Sequence, residues 1–312
     1  MKEDIIRYLK VNEGYISGEE FSRRLNITRA AIWKNIEELR REGYVIAATK
    51  QGYKLASVPD KLFPVEIQLG LKTKVLGKKI YYYDVIDSTM QEAFRLGLEN
   101  TPEGTVVIAE SQTRGKGRLG RVWNSPRGKG IYMSLILRPE FGLMDVPKVT
   151  LLSAVAVCEA IRHVTDVDVQ IKWPNDLLIE GKKVAGILTE LNAQMDQVQF
   201  VVVGLGVNVN APLSVLPEHA VSLKKVIGKK ILRLVLLQEI LRFLEKWYED
   251  VNQNGFKPMM QRWKELSCTL GKRVNVDGIE GEAVDIDEYG ALVIRNEQQE
   301  LVKRMSGDVA LI

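Results

Sequence analysis

Apolar residues in the first 57 positions recur at helical spacing and then begin to alternate. Three short helices are predicted, with apolar stripes formed by Ile5, Ile6 and Leu9, by Phe21 and Leu25, and by Ile32, Ile36 and Leu39. Ser17 and Glu20 match a capping box at the start of the second helix, and Gly43 is a stop signal for the third. Alternation over residues 44–57 predicts a hairpin with its tip at residues 50–52. This order is typical of a winged helix-turn-helix.

The central part of the chain alternates between strand and helix patterns. Strands are predicted at residues 80–85, 106–110, 132–137 and 200–208, and a hairpin is predicted to pair residues 170–179 with residues 184–191. Helices are predicted from Ser88, over about residues 148–164, and in the stretch that ends at residue 266. Ser88 and Gln91 match a capping box at the first of these helices. After residue 268, short strands separated by glycines are typical of a small barrel.

These patterns predict an α+β multidomain protein. We expect a winged helix-turn-helix DNA-binding domain over residues 1–64, a mixed α/β catalytic domain over residues 65–267, and a small SH3-like β-barrel over residues 268–312. The dipeptides Val58-Pro59 and Phe63-Pro64 are expected to form the linker between the first two domains.

Composition narrows the class of protein further. The 312 residues are 46% hydrophobic and 27% charged, which is ordinary for a globular protein. The start of the chain lacks the pattern of a secretory signal, and we find no membrane-spanning stretch, so we expect a cytoplasmic protein without a membrane partner. Two cysteines far apart and two histidines supply neither a disulfide framework nor a typical zinc site.

The net charge of +4 is unevenly distributed. Residues 22–54 hold eight Lys and Arg against three Asp and Glu, which favours binding to nucleic acid. The candidate DNA contacts are Arg29, Lys34, Arg41 and Lys50. The alternative is a three-helix interaction domain with a solvated basic face.

A glycine-rich basic segment lies between two predicted strands. Residues 115–120 match the GxGxxG spacing of a dinucleotide site, but a strand and not a helix follows them, so this interpretation fails. Residues 111–139 contain seven Lys and Arg, no acid, and Trp123. Such a loop is suited to close over phosphates. The alternative is a solvated basic loop that contacts DNA.

A second group of polar residues follows the sequence Lys172-Trp173-Pro174-Asn175-Asp176. Simple strand alternation would place Lys183 on one face with Ala185 and Ile187, where its ammonium either reaches solvent or points into a pocket. Together with the basic loop and with Asn208, these residues favour a nucleotide site. Asp176 is a candidate for holding Mg²⁺ or for orienting an amine.

Five strings resemble, in order, the motifs of biotin protein ligases. They are DSTMQ at residues 87–91, AESQTRGKGRLGRVW at 109–123, KWPNDLL at 172–178, KVAGIL at 183–188 and GLGVNV at 204–209. With the predicted winged helix and small β tail, the resemblance covers essentially the whole chain and is to the bifunctional ligase–repressor type. It implies ATP, Mg²⁺ and biotin, with biotinyl-5′-AMP as the intermediate and a lysine of a biotin carboxyl carrier protein as the acceptor.

The resemblance also implies roles for individual residues. The catalytic candidates are Lys183, Arg118 and Asp176. The biotin-binding candidates are Ser88, Thr89, Met90, Gln112, Lys116, Gly117, Arg118, Lys183 and Gly186. The ATP-binding candidates are Arg118, Arg121, Trp123, Lys172, Asn175, Lys183 and Asn208. The chain departs from the family pattern at Lys116 and Leu119, where arginines are common, and at Met90, where a polar residue is common.

The architecture suggests a regulator as well as an enzyme. A loop that orders on the ligand is expected to favour a homodimer, which would place two recognition helices on operator DNA. Three alternatives stay open at this stage. They are a ligase whose winged helix binds no DNA, a non-catalytic regulator that responds to biotin, and a lipoate or octanoate ligase with the same catalytic module.

Overall fold

The computed structural model describes residues 1–195 and 197–312. The chain divides into two compact units, Met1–Gly70 and Leu71–Ile312. The second unit thus holds the predicted C-terminal β domain together with the predicted catalytic domain, apart from residues 65–70, which lie in the first unit. None of the helices in the described ranges combines the length and the apolar character needed to cross a membrane.

The first unit is a winged helix-turn-helix, as predicted. Its elements are α1 (Lys2–Val11), α2 (Gly18–Leu25), α3 (Arg29–Glu42), β1 (Val45–Thr49), β2 (Gly52–Ser57) and α4 (Pro64–Gly70). The Ser17 side chain accepts a hydrogen bond from the backbone N–H of Glu20, and Thr28 caps α3 in the same way. The predicted apolar stripes meet in one core, in which Ile5, Phe21 and Ile36 are fully buried.

The second unit is built on a seven-stranded mixed sheet. Its strands are β3 (Ile80–Tyr83), β4 (Val106–Ala109), β5 (Gly130–Leu137), β6 (Gln170–Lys172), β7 (Asp176–Ile179), β8 (Lys182–Gln194) and β9 (Gln197–Asn208). They are arranged in the order β3-β4-β5-β9-β8-β7-β6. Only the β3–β4 pair is parallel among these neighbours.

Helices cover both faces of this sheet. They are α5 (Thr89–Leu98), α6 (Val146–Thr165), α7 (Leu223–Ile227), α8 (Arg233–Asn254) and α9 (Lys257–Leu266). Helix α5 packs with Met90 and Ala93 against Val202 of β9. Thr150 of α6 hydrogen-bonds Thr189 of β8, whose strand partner is Val203. Because successive strand residues face opposite ways, α5 and α6 lie on opposite faces.

The C-terminal segment forms a second, antiparallel sheet. Its strands are β10 (Arg273–Val276), β11 (Ile279–Ile286), β12 (Leu292–Arg295), β13 (Leu301–Arg304) and β14 (Val309–Leu311), in the order β13-β12-β11-β10-β14. Trp173 ties it to the catalytic sheet: its backbone N–H donates to Thr269 Oγ1 over 2.9 Å and its indole N–H donates to the carbonyl of Gly290 over 3.1 Å.

Two local predictions are wrong. Residues 170–179 do not form one strand, because the cis Trp173-Pro174 peptide lies in a tight turn between β6 and β7. Pro174 has no N–H to give to a ladder, so a strand ends there. The helix predicted from Ser88 does begin at that point, but the Ser88 side chain makes no capping bond. Its neighbour Thr89 is instead bound to the loop described below.

Candidate active site

A cavity of about 650 Å³ lies over β8 and β9. It is on the sheet face that carries α5, since Met90 of α5 lines it. Two strand pairings put glycines in its floor: Gly186 lies opposite Gly206, and Leu188 lies opposite Gly204. Glycine at these positions leaves the sheet without side chains, so that other groups can pack directly on its backbone.

The Trp123 indole forms a wall of the cavity directly on these glycines. A Cβ added to Gly206 would lie 2.3 Å from the Trp123 ring, and one added to Gly186 would lie 3.0 Å from it. The floor is thus shaped to receive an aromatic ring at close range. The indole Nε1 is buried, and no partner for it is found in the described part of the chain. A buried donor of this kind is costly unless a ligand or water accepts from it.

The predicted biotin side of the cavity is organised by hydrogen bonds. Gln112 Oε1 accepts from the Thr89 backbone N–H over 2.8 Å and from the Thr89 hydroxyl over 3.1 Å. Gln112 Nε2 donates to Ser125 Oγ over 2.9 Å. Ser134 Oγ donates to Thr89 Oγ1 over 2.9 Å. Gln112 and Ser125 belong to the segment between β4 and β5, residues 110–129, which is the basic loop. These bonds therefore fix the start of α5 and the basic loop against the sheet.

Lys183 reaches the cavity because β8 contains a register shift. Leu178 pairs with Lys183 while Leu177 pairs with Ala185, so Val184 is an extra residue in β8. A Cβ on Gly186 would lie 3.0 Å from Lys183 Cε, which places Lys183 on the face of Gly186. The expectation that Lys183 shares a face with Ala185 and Ile187 is therefore wrong, because the bulge breaks the period of two.

The Lys183 ammonium stands at the boundary between an apolar and a polar part of the cavity. It lies 5.4 Å from the Trp123 ring centroid and 2.6 Å from Asp176 Oδ1. On the polar side, Arg118 Nη1 donates to Asn175 Oδ1 over 2.8 Å, and Asn175 Nδ2 donates to the carbonyl of Ile187 over 2.8 Å. Asp176 thus holds the cation of Lys183, and its neighbour Asn175 in the motif of residues 172–176 holds that of Arg118.

The basic loop itself contains no dinucleotide-type helix. A single short 3-10 turn covers Arg118–Gly120, and Leu119 within it has a φ of 54°. This is the left-handed region, which is costly for a branched side chain. As predicted, the next element after Gly120 in this fully described segment is a strand, β5, and not a helix.

The C-terminal sheet supplies residues that the sequence analysis missed. Arg118 Nη2 donates to the carbonyl of Gly307 over 3.3 Å. Arg121 Nη1 donates to Asp308 Oδ1 over 3.2 Å. Asn275 and Asp277 also line the cavity. These contacts join positions almost two hundred residues apart, and no local pattern in the sequence marks them.

Most predicted ligase residues converge on this cavity. Those that line it are Thr89, Met90, Gln112, Lys116, Gly117, Arg118, Arg121, Trp123, Lys172, Asn175, Asp176, Lys183, Gly186 and Asn208. Ser88 does not line it; its hydroxyl is buried without a partner in the described ranges. Gly204 and Gly206 line the cavity as well and were not predicted. Their spacing of two in a buried strand is a signal that could have found them.

The surroundings of Asp176 do not fit a protein-held magnesium ion. Across residues 1–195 and 197–312, no three His, Cys, Asp or Glu side chains form a group that could hold a metal. The Asp176 carboxylate already faces the Lys183 ammonium. A cation at the same oxygen would have to displace that partner, and Mg²⁺ needs several oxygen ligands.

The predicted DNA contacts are exposed on the first unit. Arg29 and Lys34 lie in the first two turns of α3, Arg41 lies near its end, and Lys50 lies at the hairpin tip. Arg29 Nη2 donates to Glu19 Oε2 over 2.9 Å in an exposed pair. Such a pair contributes little free energy, so the guanidinium can exchange it for a phosphate.

Known families match each part of the chain. The model of the Biotin/lipoate A/B protein ligase family matches residues 82–208, that of the HTH domain matches residues 2–54, and that of the Biotin protein ligase C terminal domain matches residues 269–311. A solved structure, the biotin protein ligase from Aquifex aeolicus in complex with biotin and ATP, superimposes with a TM-score of 0.65 at 31% identity. That match covers 75% of this chain and 99% of that one.

Some relatives match this chain over nearly its full length and are named both as a ligase and as a repressor. The protein named Bifunctional ligase/repressor BirA in Bacillus spizizenii is 42% identical over 100% of this chain and 98% of its own length. The protein of the same name in Escherichia coli is 32% identical over 97% of this chain and 95% of its own length. With these matches and with the cavity described above, the chain belongs to the biotin protein ligase family, among its bifunctional ligase and repressor members.

Proposed function

We propose that this protein is an ATP-dependent biotin protein ligase that also represses transcription. In the first step, the biotin carboxylate attacks the α-phosphate of ATP and gives biotinyl-5′-AMP and pyrophosphate. In the second step, a lysine amine of the acceptor attacks the mixed anhydride and gives an amide and AMP. The acceptor is a biotin carboxyl carrier protein, and the reaction takes place in the cytoplasm, where ATP is supplied.

The position of Lys183 carries this proposal. Its ammonium lies where the Trp123 wall meets the polar group of Asp176, Asn175 and Arg118. A biotin ring on the apolar side would bring its carboxylate to that boundary, with the α-phosphate beyond it. A fixed cation between two reacting anions lowers their repulsion and stabilises the charge of the transition state.

Two unpartnered polar atoms support the placement of biotin. The Trp123 indole N–H and the Ser88 hydroxyl are buried near the cavity without partners in the described part of the chain. The biotin ring offers both donor and acceptor groups in its ureido unit, which suits such atoms. Thr89 and Gln112 line the cavity, are hydrogen-bonded to each other and would form a polar end for the ring.

The basic loop has two tasks in this scheme. Lys116, Arg118 and Arg121 bring positive charge to the cavity wall, where the phosphates of ATP would lie. The same wall shields the mixed anhydride from water until the acceptor lysine arrives. We propose that Mg²⁺ enters bound to the ATP phosphates, since the carboxylate of Asp176 is already paired.

The test is a two-stage assay on the full chain with biotin, ATP, Mg²⁺ and a carrier domain. Lys183→Met keeps the aliphatic stem over Trp123 but removes the charge, and we expect the rate of biotinyl-5′-AMP formation to fall about 100- to 1,000-fold. Lys182→Ala is the matched control, because it removes the exposed neighbouring ammonium. Biotin-dependent exchange of pyrophosphate into ATP measures the first step, and mass spectrometry of the carrier measures the second. Undiminished exchange in Lys183→Met would remove Lys183 from this role.

The repressor activity is proposed to depend on the ligand. Biotinyl-5′-AMP would order the basic loop, favour a homodimer and so place two α3 helices on a two-fold operator. The exposed cations Arg29, Lys34, Arg41 and Lys50 support the DNA contact. Gel-shift titrations of DNA upstream of biotin genes, with and without biotin plus ATP, test the coupling. Equal affinity in the two conditions would reject it.

A further inference from the structure

The recognition helix α3 exposes a large aromatic side chain. Trp33 lies in its second turn with 59% of its surface exposed, although its neighbours Ile32 and Ile36 are fully buried. Within the part of the chain that the structure describes, no hydrogen bond or ring contact involves the Trp33 indole. A single exposed apolar residue is ordinary by itself. Trp33 is of interest because it lies on the helix that contacts DNA in this fold.

Trp33 belongs to the part of α3 that enters a DNA groove in this fold. In a helix-turn-helix, the N-terminal residues of the recognition helix contact base edges. The exposed residues in the first two turns of α3 are Arg29, Ala30, Trp33 and Lys34. The small Ala30, three positions before Trp33, allows a close approach on the same side of the helix.

Several other polar side chains of α3 are already engaged. Asn35 is the residue type best suited to read adenine, but its Nδ2 donates to the Ala31 carbonyl over 2.7 Å and lies 3.3 Å from Met1 Sδ. Glu37 pairs with Arg40 within the helix. Trp33 and Lys34 are therefore the exposed side chains in the second turn that make no such contact.

We propose that Trp33 reads DNA sequence through an apolar contact with thymine. The C5 methyl group of thymine is the apolar feature of the major groove and marks an A·T pair specifically. The indole would pack on that methyl group, while Lys34 supplies charge for a phosphate. Eight Lys and Arg against three acids in residues 22–54 fit an anionic duplex as the partner of this aromatic side chain. The inference rests on the proposed repressor function and names the base that it recognises.

The experiment selects duplexes from a random-sequence library with the full-length protein, biotin, ATP and Mg²⁺. Affinity is then measured for the selected duplex and for versions in which each thymine is replaced by uracil, which removes only the methyl group. We expect one or two of these replacements to lower the affinity of the wild type about tenfold. Trp33→Ala is expected to bind the selected duplex about tenfold more weakly and to be insensitive to the same replacements.

Two variants separate base reading from charge. Trp33→Phe keeps an apolar ring and is expected to retain part of the thymine preference. Lys34→Ala is expected to weaken binding to every duplex and to reduce the salt dependence by about one counterion per protomer, or about two for the dimer, whereas Trp33→Ala leaves that dependence unchanged. Carrier biotinylation at the wild-type rate by each variant shows that Leu71–Ile312 is intact.

The outcomes distinguish the inference from the function on which it rests. If the wild type enriches no sequence, the proposed repressor function fails and the inference fails with it. If the wild type enriches a sequence and Trp33→Ala binds it equally well, only the inference is overturned. Equal losses on uracil replacement in wild type and Trp33→Ala overturn it too. Because that replacement is made in the DNA, the wild-type result does not depend on the folding of any variant.

Discussion

Gly204 and Gly206 lie in the same strand, and a different side chain packs on each of them. A Cβ on Gly204 would meet Met90 Sδ at 2.4 Å, and one on Gly206 would meet the Trp123 ring at 2.3 Å. A thioether chain can change rotamer, whereas an indole fixed against a sheet has to move as a whole. The two positions therefore form a matched pair for testing the wall of the cavity.

We expect Gly206→Ala to impair biotin binding more than Gly204→Ala. The displaced Trp123 ring would occupy space that the ligand needs, and the KM for biotin is expected to rise at least about tenfold, which corresponds to about 1.4 kcal/mol. For Gly204→Ala we expect a change of less than about threefold. Steady-state kinetics with saturating ATP measure both values. Equal effects would mean that Trp123 is not a rigid wall of the biotin site.

Cys158 offers a test of packing away from the site. Burial raises the pKa of its thiol to about 12, so at pH 8 almost none of it is the reactive thiolate. We expect Cys158 to resist iodoacetamide in the native protein at pH 8 and to react on unfolding in urea. Cys268, which is only partly buried, is expected to react sooner. Mass spectrometry of tryptic peptides assigns the label, and rapid native labelling of Cys158 would contradict this packing.

At the level of elements, the basic loop is tied to the C-terminal sheet by Arg121 and Asp308. Their side chains are 65% and 44% exposed, so the pair contributes little to global stability. It does hold the loop end next to the cavity, together with the bond from Arg118 to Gly307. Its effect is therefore expected in ligand retention and not in unfolding.

We expect Asp308→Asn to release biotinyl-5′-AMP about two- to fivefold faster, as the loss of one exposed ion pair implies. The unfolding temperature is expected to stay within about 2 °C of wild type. Glu297→Gln is the control, since Glu297 pairs with Arg273 on the same sheet over 2.7 Å and does not line the cavity. Release is followed by stopped-flow tryptophan fluorescence. An unchanged rate would show that this ion pair does not retain the intermediate.

Elements with a clear period could be predicted from the sequence, and local exceptions could not. The stripes of α1 and α3 and the stop signal at Gly43 predicted the winged helix, because these segments bury a single face. The extra Val184 in β8 has no composition signal, so the period of two misplaced Lys183. The Ser88 pattern gave the start of α5 but not the contact: the Ser88 side chain makes no capping bond, and the N–H of Thr89 binds the Gln112 side chain, which only tertiary structure brings there.

For the molecule as a whole, the cavity explains why the second unit extends to the end of the chain. Residues from β8 and β9, from the basic loop and from the turn before β14 line one space. Sequence motifs located the first three groups, since each has an unusual local composition. The turn at Gly307 and Asp308 has no such composition, and only the folded arrangement brings it to Arg118 and Arg121.

The division into two units predicts two separate responses to ligands. A ligand that binds only the native state stabilises the unit that holds its site, by about 2.7 kcal/mol at a hundredfold excess over Kd. Biotin with ATP and Mg²⁺ should therefore protect amides of Leu71–Ile312 from hydrogen exchange, above all those of the basic loop and the turn before β14. The selected operator duplex should protect α3 and the β1–β2 hairpin in Met1–Gly70. Hydrogen exchange with mass spectrometry measures both responses. The ligand experiment is run at protein concentrations below dimer formation, and the operator experiment is run with biotin, ATP and Mg²⁺ at concentrations that allow the dimer. Equal protection of both units by biotin and ATP alone would contradict this division, because the two units would then unfold as one cooperative body.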